Sequence, residues 1–280
     1  MGRHEGASSQ GCSLEDIKVI IGAIYFFVII FANTLGAISG IGGGIIIRPI
    51  FDAIGYHNVA AVSFYSGVSV LVMAIVTTGR KIKDGTSIRR ELAILTSFGA
   101  VFGGVIGTLL FESLLFRLPK EEMVLATQIS IAIFVLSLSL FYTLKKFKSL
   151  NMESKGMFFL VGTFIGCVAA FLGIGGGPLN VVAFMLFFGL PIKSAVVYSI
   201  VNIIFSQLAR LITIGITTGY QFFDLTILAF IVPGAILGGL LGTKVGRGLS
   251  ETKVAKVYQA MLMAVIFLNG FNLLNLIRGY

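Results

Sequence analysis

The feature that most constrains this chain is a glycine-rich run, GIGGG, that occurs twice inside long apolar stretches. The first copy is residues 40–44 and the second is residues 173–177, 133 positions later. Each glycine costs a helix about 1 kcal/mol relative to alanine, so neither run is expected to continue a regular helix. Inside a membrane, such a break is tolerated only where the freed backbone groups face protein or a polar cavity. Two equivalent breaks in the two halves of a chain are typical of the binding site of a secondary transporter.

Composition and segment length assign the chain to the membrane. Its 280 residues are 56% hydrophobic and 12% charged, whereas soluble domains are about 25% charged. Apolar stretches close to the length that a helix needs to cross a bilayer recur along the sequence, without the alternation of a β-barrel. The sequence therefore predicts an all-α polytopic membrane protein. The predicted apolar segments are residues 17–39, 45–55, 58–79, 91–111, 123–144, 156–172, 178–190, 194–215, 225–243 and 254–277.

An internal repeat extends beyond the two glycine runs. The residues Tyr65, Ser66 and Ser69 match Tyr198, Ser199 and Asn202 at the same offset of 133. A second pattern, GAxxGGxxGT, occurs at residues 99–108 and again at 234–243, and its four-residue glycine spacing predicts close helix packing. We therefore predict two repeats of about four helical segments, the first segment of each broken at GIGGG. Residues 17–144 form repeat 1 and residues 156–280 form repeat 2, with a polar tail at 1–16 and a linker at 145–155.

The distribution of positive charge predicts the orientation. The net charge of +9 is concentrated in loops 80–90, 145–155 and 244–256, which the positive-inside rule assigns to the cytoplasmic side of the plasma membrane. Orientation therefore explains the charge, and no nucleic-acid partner is predicted. The loop at 216–223 has no basic residue and is expected outside. With these assignments each repeat makes three net crossings, and the two repeats are inverted.

The sequence predicts a binding site that favours an anion. Half-helices that begin after the breaks, at Ile45 and Pro178, point unpaired N–H groups and a positive dipole end into the gap, which attracts an anion. Arg48 and Arg210 lie inside apolar segments, where ionisable groups are usually functional. Asp52 and the other acidic residues fall near segment ends, so no carboxylate is expected at the depth of the arginines. Snorkelling to the membrane surface is the alternative for both arginines.

The remaining candidates are polar residues on the helix that follows each break. Hydroxyl and amide groups there can donate hydrogen bonds to an oxyanion, and interhelical hydrogen bonding is the alternative, preferred for Gln128 and Gln207. No catalytic residue, metal ligand set or cofactor is predicted, and the chain has no enzyme motif. The predicted substrate-binding residues are Gly40, Gly42, Gly43, Gly44, Gly173, Gly175, Gly176, Gly177, Arg48, Arg210, Tyr65, Ser66, Ser69, Asn180, Tyr198, Ser199 and Asn202.

The paired GIGGG runs, the prolines near them and the GAxxGGxxG blocks resemble the sulfite exporter TauE/SafE family, from about residue 17 onward. That resemblance implies a membrane transporter of a sulfur-containing anion such as sulfite, thiosulfate or an organosulfonate. The expected partners are thus a small anion and the lipid bilayer, and a homo-oligomer remains open. The alternatives are an anion-selective channel, a transporter of a non-sulfur organic anion, and a membrane enzyme or assembly partner that transports nothing.

Overall fold

A computed structural model describes residues 14–85, 89–145, 148–173 and 177–278, and this part of the chain is almost entirely α-helical. Eight of the described helices are long and apolar enough to cross a membrane, and α2 and α7 are shorter. The predicted all-α polytopic membrane fold is confirmed. The helices are α1 (Leu14–Ser39), α2 (Gly44–Ile54), α3 (Val59–Lys83), α4 (Arg90–Arg117), α5 (Glu121–Lys145), α6 (Lys155–Leu172), α7 (Gly177–Phe188), α8 (Ile192–Thr217), α9 (Leu228–Arg247) and α10 (Glu251–Arg278).

Helix α1 ends where the first glycine run begins. Gly40 and Gly42 have φ angles of 76° and 80°, a left-handed conformation that residues with a side chain adopt only with strain. The chain turns at this point, and the short helix α2 starts at Gly44. In the second half, α6 ends at Leu172 and the short helix α7 starts at Gly177. Both glycine runs therefore separate a long helix from a short one.

One end of the helix bundle is basic. We call it the basic end, and it comprises the described residues of 80–90, 145–155 and 244–256. Lys155 Nζ lies 2.8 Å from Glu91 Oε1, which brings the start of α6 to the start of α4. Arg247 forms an ion pair with Asp84, which brings the end of α9 to the end of α3. The three basic loops of the sequence therefore meet at one end of the bundle.

The opposite end comprises residues 55–58, 117–121 and 217–224. Lys18 Nζ lies 2.9 Å from Asp224 Oδ2, so α1 begins beside the loop that follows α8. Thr217 donates a hydrogen bond of 2.6 Å to Glu112 Oε1, which joins the end of α8 to the end of α4. Helices α1 and α6, which occupy matching places in the two halves, thus begin at opposite ends of the bundle.

The two halves of the chain pack in the same way. The most extensive contact joins α4 to α6, and its counterpart joins α9 to α1. Helix α8 packs on α4 as α3 packs on α9, while α3 contacts α8 and α5 contacts α10. If each helix of the first five is replaced by its counterpart five helices later, and the reverse, the same set of contacts results. Such an exchange is what two related repeats would produce, and their inversion stays a prediction.

The GAxxGGxxGT blocks lie at the two largest helix contacts. A Cβ atom at Gly103 of α4 would overlap the carbonyl oxygen of Thr163 in α6 and lie 2.7 Å from the backbone nitrogen of Cys167. Gly242 of α9 has the same relation to Thr34 of α1. The helix backbones are therefore close enough to exclude a methyl group. The packing role predicted for these glycines is confirmed.

Replacing Gly103 with alanine is expected to lower the free energy of unfolding by about 1–3 kcal/mol, because the added methyl group must push α4 away from α6. Gly270→Ala in α10 is the matched control, since nothing lies within 4 Å of its added Cβ. Thermal unfolding of both variants in the same detergent would measure the difference. Equal melting temperatures would contradict the close α4–α6 contact.

Candidate substrate-binding site

The two glycine runs touch each other at the centre of the bundle. A Cβ atom at Gly177 would overlap the carbonyl group of Ile41. Helix α2 begins just after one side of this contact, and α7 begins at the other. The first N–H groups of a helix have no intrahelical acceptor and carry the positive end of its dipole. Two such helix starts therefore favour negative charge at the bundle centre.

Arg210 of α8 is completely buried near this contact. Its Nη1 donates hydrogen bonds to the Ser63 carbonyl oxygen at 3.1 Å and to Gln207 Oε1 at 3.4 Å, and its Nη2 donates to Ser63 Oγ. Its Nε has no partner within the described ranges, and no carboxylate in them forms a salt bridge with it. Burying an ion costs several kcal/mol unless it is compensated. Arg210 is thus a buried cation with neutral partners.

Arg48 of α2 is also buried, with 4% of its surface exposed. Its guanidinium donates hydrogen bonds to the carbonyl oxygen of Leu172 and to Gln128 Oε1. Leu172 is the last residue of α6, where the helix dipole is negative. The Nε atom lies 3.6 Å from Asp52 Oδ2. Arg48 is therefore compensated by a carboxylate and by a helix end, and snorkelling is excluded for both arginines by their burial.

Asp52 corrects the prediction that no carboxylate lies at the depth of the arginines. Its side chain is only 6% exposed and follows Arg48 by one helical turn, on the same face of α2. Helix α2 ends next to the opposite end, but its inner face packs on α1, where the ring of Phe51 stacks on that of Tyr25 with centroids 3.6 Å apart. A carboxylate near the end of an apolar segment is therefore buried here, and one of the two arginines is neutralised.

The two guanidinium groups converge on Gly173, the first residue of the second glycine run. A Cβ atom at Gly173 would lie 2.5 Å from Arg48 Nη1 and 3.2 Å from Arg210 Nη2, and it would overlap Ser63 Oγ. Gly173 also has a φ of 63°, so both its conformation and its surroundings require glycine. We call Arg48 and Arg210 the arginine pair. Ser66 lies one turn after Ser63 on the same face of α3, and its buried hydroxyl has no partner in the described part of the chain.

Polar side chains also line the first glycine run. Ser199 donates a hydrogen bond of 2.6 Å to the carbonyl oxygen of Gly40. Asn33 donates one of 2.9 Å to Ser69 Oγ, and a Cβ atom at Gly43 would overlap Asn33 Oδ1. Within the described ranges, the buried side-chain atoms that lack a partner include Asn33 Oδ1, Ser66 Oγ, Asn180 Oδ1, Asn202 Nδ2, Gln207 Nε2 and Arg210 Nε. The first run and Gly173 therefore lie among polar groups that can accept or donate further hydrogen bonds.

A cavity of about 420 Å³ opens at the basic end and leads toward the first glycine run. Charged side chains lie at its mouth, and Ala37 and Val196 line its inner part. Val196 packs on the run itself, since a Cβ atom at Gly40 would lie 2.7 Å from its Cα. At the opposite end the rings of Phe64 and Phe223 stack with centroids 4.3 Å apart. The cavity thus reaches a residue that packs on Gly40 from the basic end, whereas aromatic rings pack together at the other end.

Comparison with known proteins assigns the family. The family model described as Sulfite exporter TauE/SafE matches residues 25–269, which include both glycine runs and the arginine pair. The chain belongs to the sulfite exporter TauE/SafE family. It is 28% identical over 277 residues to the probable membrane transporter protein YunE of Bacillus subtilis (strain 168), covering 89% of this chain and 94% of that protein. No solved structure matches it. The TauE/SafE assignment and this relative indicate a membrane transporter rather than an enzyme.

Two predicted site residues of this TauE/SafE chain lie away from the arginine pair. The Tyr65 hydroxyl donates to the carbonyl oxygen of Asp224 and accepts from its N–H, both at 3.1 Å, at the opposite end. The Tyr198 hydroxyl accepts a hydrogen bond of 2.6 Å from the N–H of Arg89, at the basic end. These equivalent tyrosines tether α3 and α8 to the segments that precede α9 and α4. Their hydroxyls are not available as donors at the bundle centre.

Two residues of the site were not predicted from the sequence, and two predicted residues lie outside the part of the chain that the structure describes. Ser63 and Asn33 were not predicted, although Ser63 continues the three-residue spacing of Ser66 and Ser69 along α3. Gln128 was expected in interhelical hydrogen bonds, and its Nε2 does donate to the carbonyl oxygen of Phe171 while its Oε1 accepts from Arg48. The predicted residues Gly175 and Gly176 lie outside the described residues. Asn202, also predicted, accepts a hydrogen bond of 3.2 Å from Ser97.

Proposed function

We propose that this chain is a secondary transporter that moves a small sulfur-containing anion across the membrane by alternating access. The observation that carries the proposal is Arg210, a completely buried cation without a carboxylate partner in the described ranges. A transported anion would supply the missing negative charge. The TauE/SafE family description supports a sulfur oxyanion as that substrate.

The chemistry of the arginine pair suits an oxyanion. Asp52 compensates Arg48, so the pair and this carboxylate together have an excess of one positive charge. Guanidinium groups form directional, charge-assisted hydrogen bonds to oxyanions, and two of them face Gly173 from different helices. Ser66, on the same face of α3 as Ser63, adds a hydroxyl without a partner in the described part of the chain. A monoanion bound there would leave the buried site electrically neutral.

The arrangement of the helices supports alternating access. Helix α1 begins at the opposite end, beside Asp224, whereas its counterpart α6 begins at the basic end, beside Glu91. Matching elements with opposite directions are what inverted repeats require, and broken helices at their interface are a known design for carriers. The cavity at the basic end and the aromatic packing at the other correspond to a state accessible from one side.

Single-cysteine labelling is expected to place the two ends of the bundle on opposite sides of the membrane. In a background in which Cys12 and Cys167 are replaced by serine, we expect Lys148→Cys to react only from the cytoplasm and Gln221→Cys only from outside, because basic loops stay inside. Both positions are exposed. Labelling of intact cells with a membrane-impermeant maleimide, before and after permeabilisation, measures this. Reaction of both cysteines from one side would contradict the inverted topology.

The proposed function is tested by transport into liposomes that contain the purified protein. Uptake and counterflow of radiolabelled sulfite, thiosulfate and sulfate would be measured, with sulfonates and carboxylates as competitors and protein-free liposomes as the control. Saturable counterflow of one sulfur oxyanion is the expected result. Flux that does not saturate and shows no counterflow would indicate a channel instead. Counterflow of carboxylates alone would identify the substrate as an organic anion without sulfur.

A further inference from the structure

The mouth of the cavity at the basic end is strongly positive. Four charged residues line it: Lys81 at the end of α3, Lys193 at the start of α8, Arg247 at the end of α9, and Asp84. Three of them are cations and one is a carboxylate, so the lining has an excess of two positive charges. A concave surface with one sign of charge raises the local concentration of ions of the other sign.

Lys81 and Lys193 account for the two excess positive charges of the cavity lining. Asp84 is engaged by Arg247, with which it forms both a salt bridge and a hydrogen bond. Neither Lys81 nor Lys193 forms a salt bridge within the described ranges, and both line the same cavity. Two like charges on the wall of one cavity are unfavourable together, and an anion between them removes the repulsion.

The cavity connects these lysines to the first glycine run. Lys193 lies in the first turn of α8, and Val196, one turn further along, packs on Gly40. The Ser199 hydroxyl bonds the carbonyl oxygen of that glycine one turn deeper still. The lysine at the mouth, the valine that packs on Gly40 and the serine that bonds it therefore follow one another along α8.

We propose that Lys81 and Lys193 form a second anion-binding site, which holds an oxyanion at the basic end before it enters, or after it leaves, the bundle centre. Its role as a step of transport rests on the proposed function, whereas the binding of an anion there does not. The phosphate of an anionic lipid headgroup has the same chemistry as a free oxyanion. The experiment has to separate these two sources.

The test counts bound anions on the full-length protein. Equilibrium binding of radiolabelled thiosulfate would be measured in phosphatidylcholine nanodiscs for the wild type, for Lys81→Gln with Lys193→Gln, and for Arg210→Gln. The matched control, Lys83→Gln with Lys253→Gln, removes two exposed lysines that do not line the cavity. Thermal unfolding of each variant verifies that it is folded.

We expect two thiosulfate sites in the wild type and in the control. The Lys81 and Lys193 double variant should weaken one of them by at least about tenfold, as expected for lost charge-assisted hydrogen bonds, and Arg210→Gln should weaken the other by about a hundredfold. Wild-type binding by the double variant would overturn the proposal. If Arg210→Gln retains both sites while the double variant loses one, the second site stands and the central site assigned under the proposed function falls.

A second arm identifies the source of the anion. The measurement is repeated in nanodiscs that contain phosphatidylglycerol. Unchanged thiosulfate binding at the lysine site supports a site for the free oxyanion. Loss of that binding only when phosphatidylglycerol is present would assign the lysines to a lipid headgroup and overturn their role as a step in transport.

Discussion

Replacing Arg210 with glutamine is expected to lower the affinity for the transported anion by about a hundredfold, the effect typical of removing one partner of a buried charge pair. The folded protein should survive, because the variant removes a buried cation that has only neutral partners in the described part of the chain. Anion binding and counterflow measure the first expectation, and thermal unfolding in detergent measures the second.

Arg117→Gln is the control for this substitution. It makes the same chemical change at an exposed position in the last turn of α4, and we expect wild-type transport and stability. Arg210→Lys keeps the charge but not the planar group, so its affinity should fall between those of the wild type and Arg210→Gln. A different result would contradict this role: Arg210→Gln does not fold, and a nearby apolar substitution restores full transport although position 210 has no cation. Arg210 would then be structural.

Gly173→Ala is expected to abolish transport and to lower the free energy of unfolding by about 2–4 kcal/mol. Its φ of 63° strains any residue with a side chain, and the new methyl group would overlap Ser63 Oγ and lie 2.5 Å from Arg48 Nη1. The methyl group would thus occupy the point on which the arginine pair converges. Counterflow and thermal unfolding are again the measurements.

Gly55→Ala separates strain from the loss of the site. Gly55 has a φ of 68° at the end of α2, but nothing lies within 4 Å of an added Cβ. This variant should therefore show only the conformational cost, about 1 kcal/mol, and should transport normally. If Gly55→Ala and Gly173→Ala lost transport to the same degree, strain in the glycine turns would explain both, and the site at Gly173 would lose its support.

The helix breaks and the apolar segments could be predicted because their causes are local. Glycine disfavours a helix through its own backbone freedom, and a run such as 40–44 contains enough of it to stop α1 wherever that helix packs. The length and polarity of a membrane span are likewise properties of a continuous segment. Arg210 was recognisable for the same reason, since it lies far from both ends of an apolar segment.

The contacts of the site could not be predicted because they depend on how the short helices are folded back. Asp52 is near the end of its apolar segment, and only the packing of α2 against α1 buries its side chain beside Arg48. The hydroxyls of Tyr65 and Tyr198 lie on helices next to the breaks, yet these long side chains reach backbone groups at the two ends of the bundle. Sequence identifies such donors, whereas packing decides their partners.

The paired tyrosine tethers have a consequence for the energetics of a carrier. A carrier works best when its two conformations have nearly equal free energy, since each 1.4 kcal/mol of difference is about a tenfold bias in their populations. Tyr198 accepts one backbone hydrogen bond at the basic end, whereas Tyr65 accepts one and donates a second at the opposite end. Under the proposed alternating access, opening either end would break a tyrosine tether, and residues that the repeats do not share would add to any preference for one end. Arg210 is one of them, because the position 133 residues earlier is Thr77. Under the proposed function, an anion that binds such unshared residues would then help to decide which end opens.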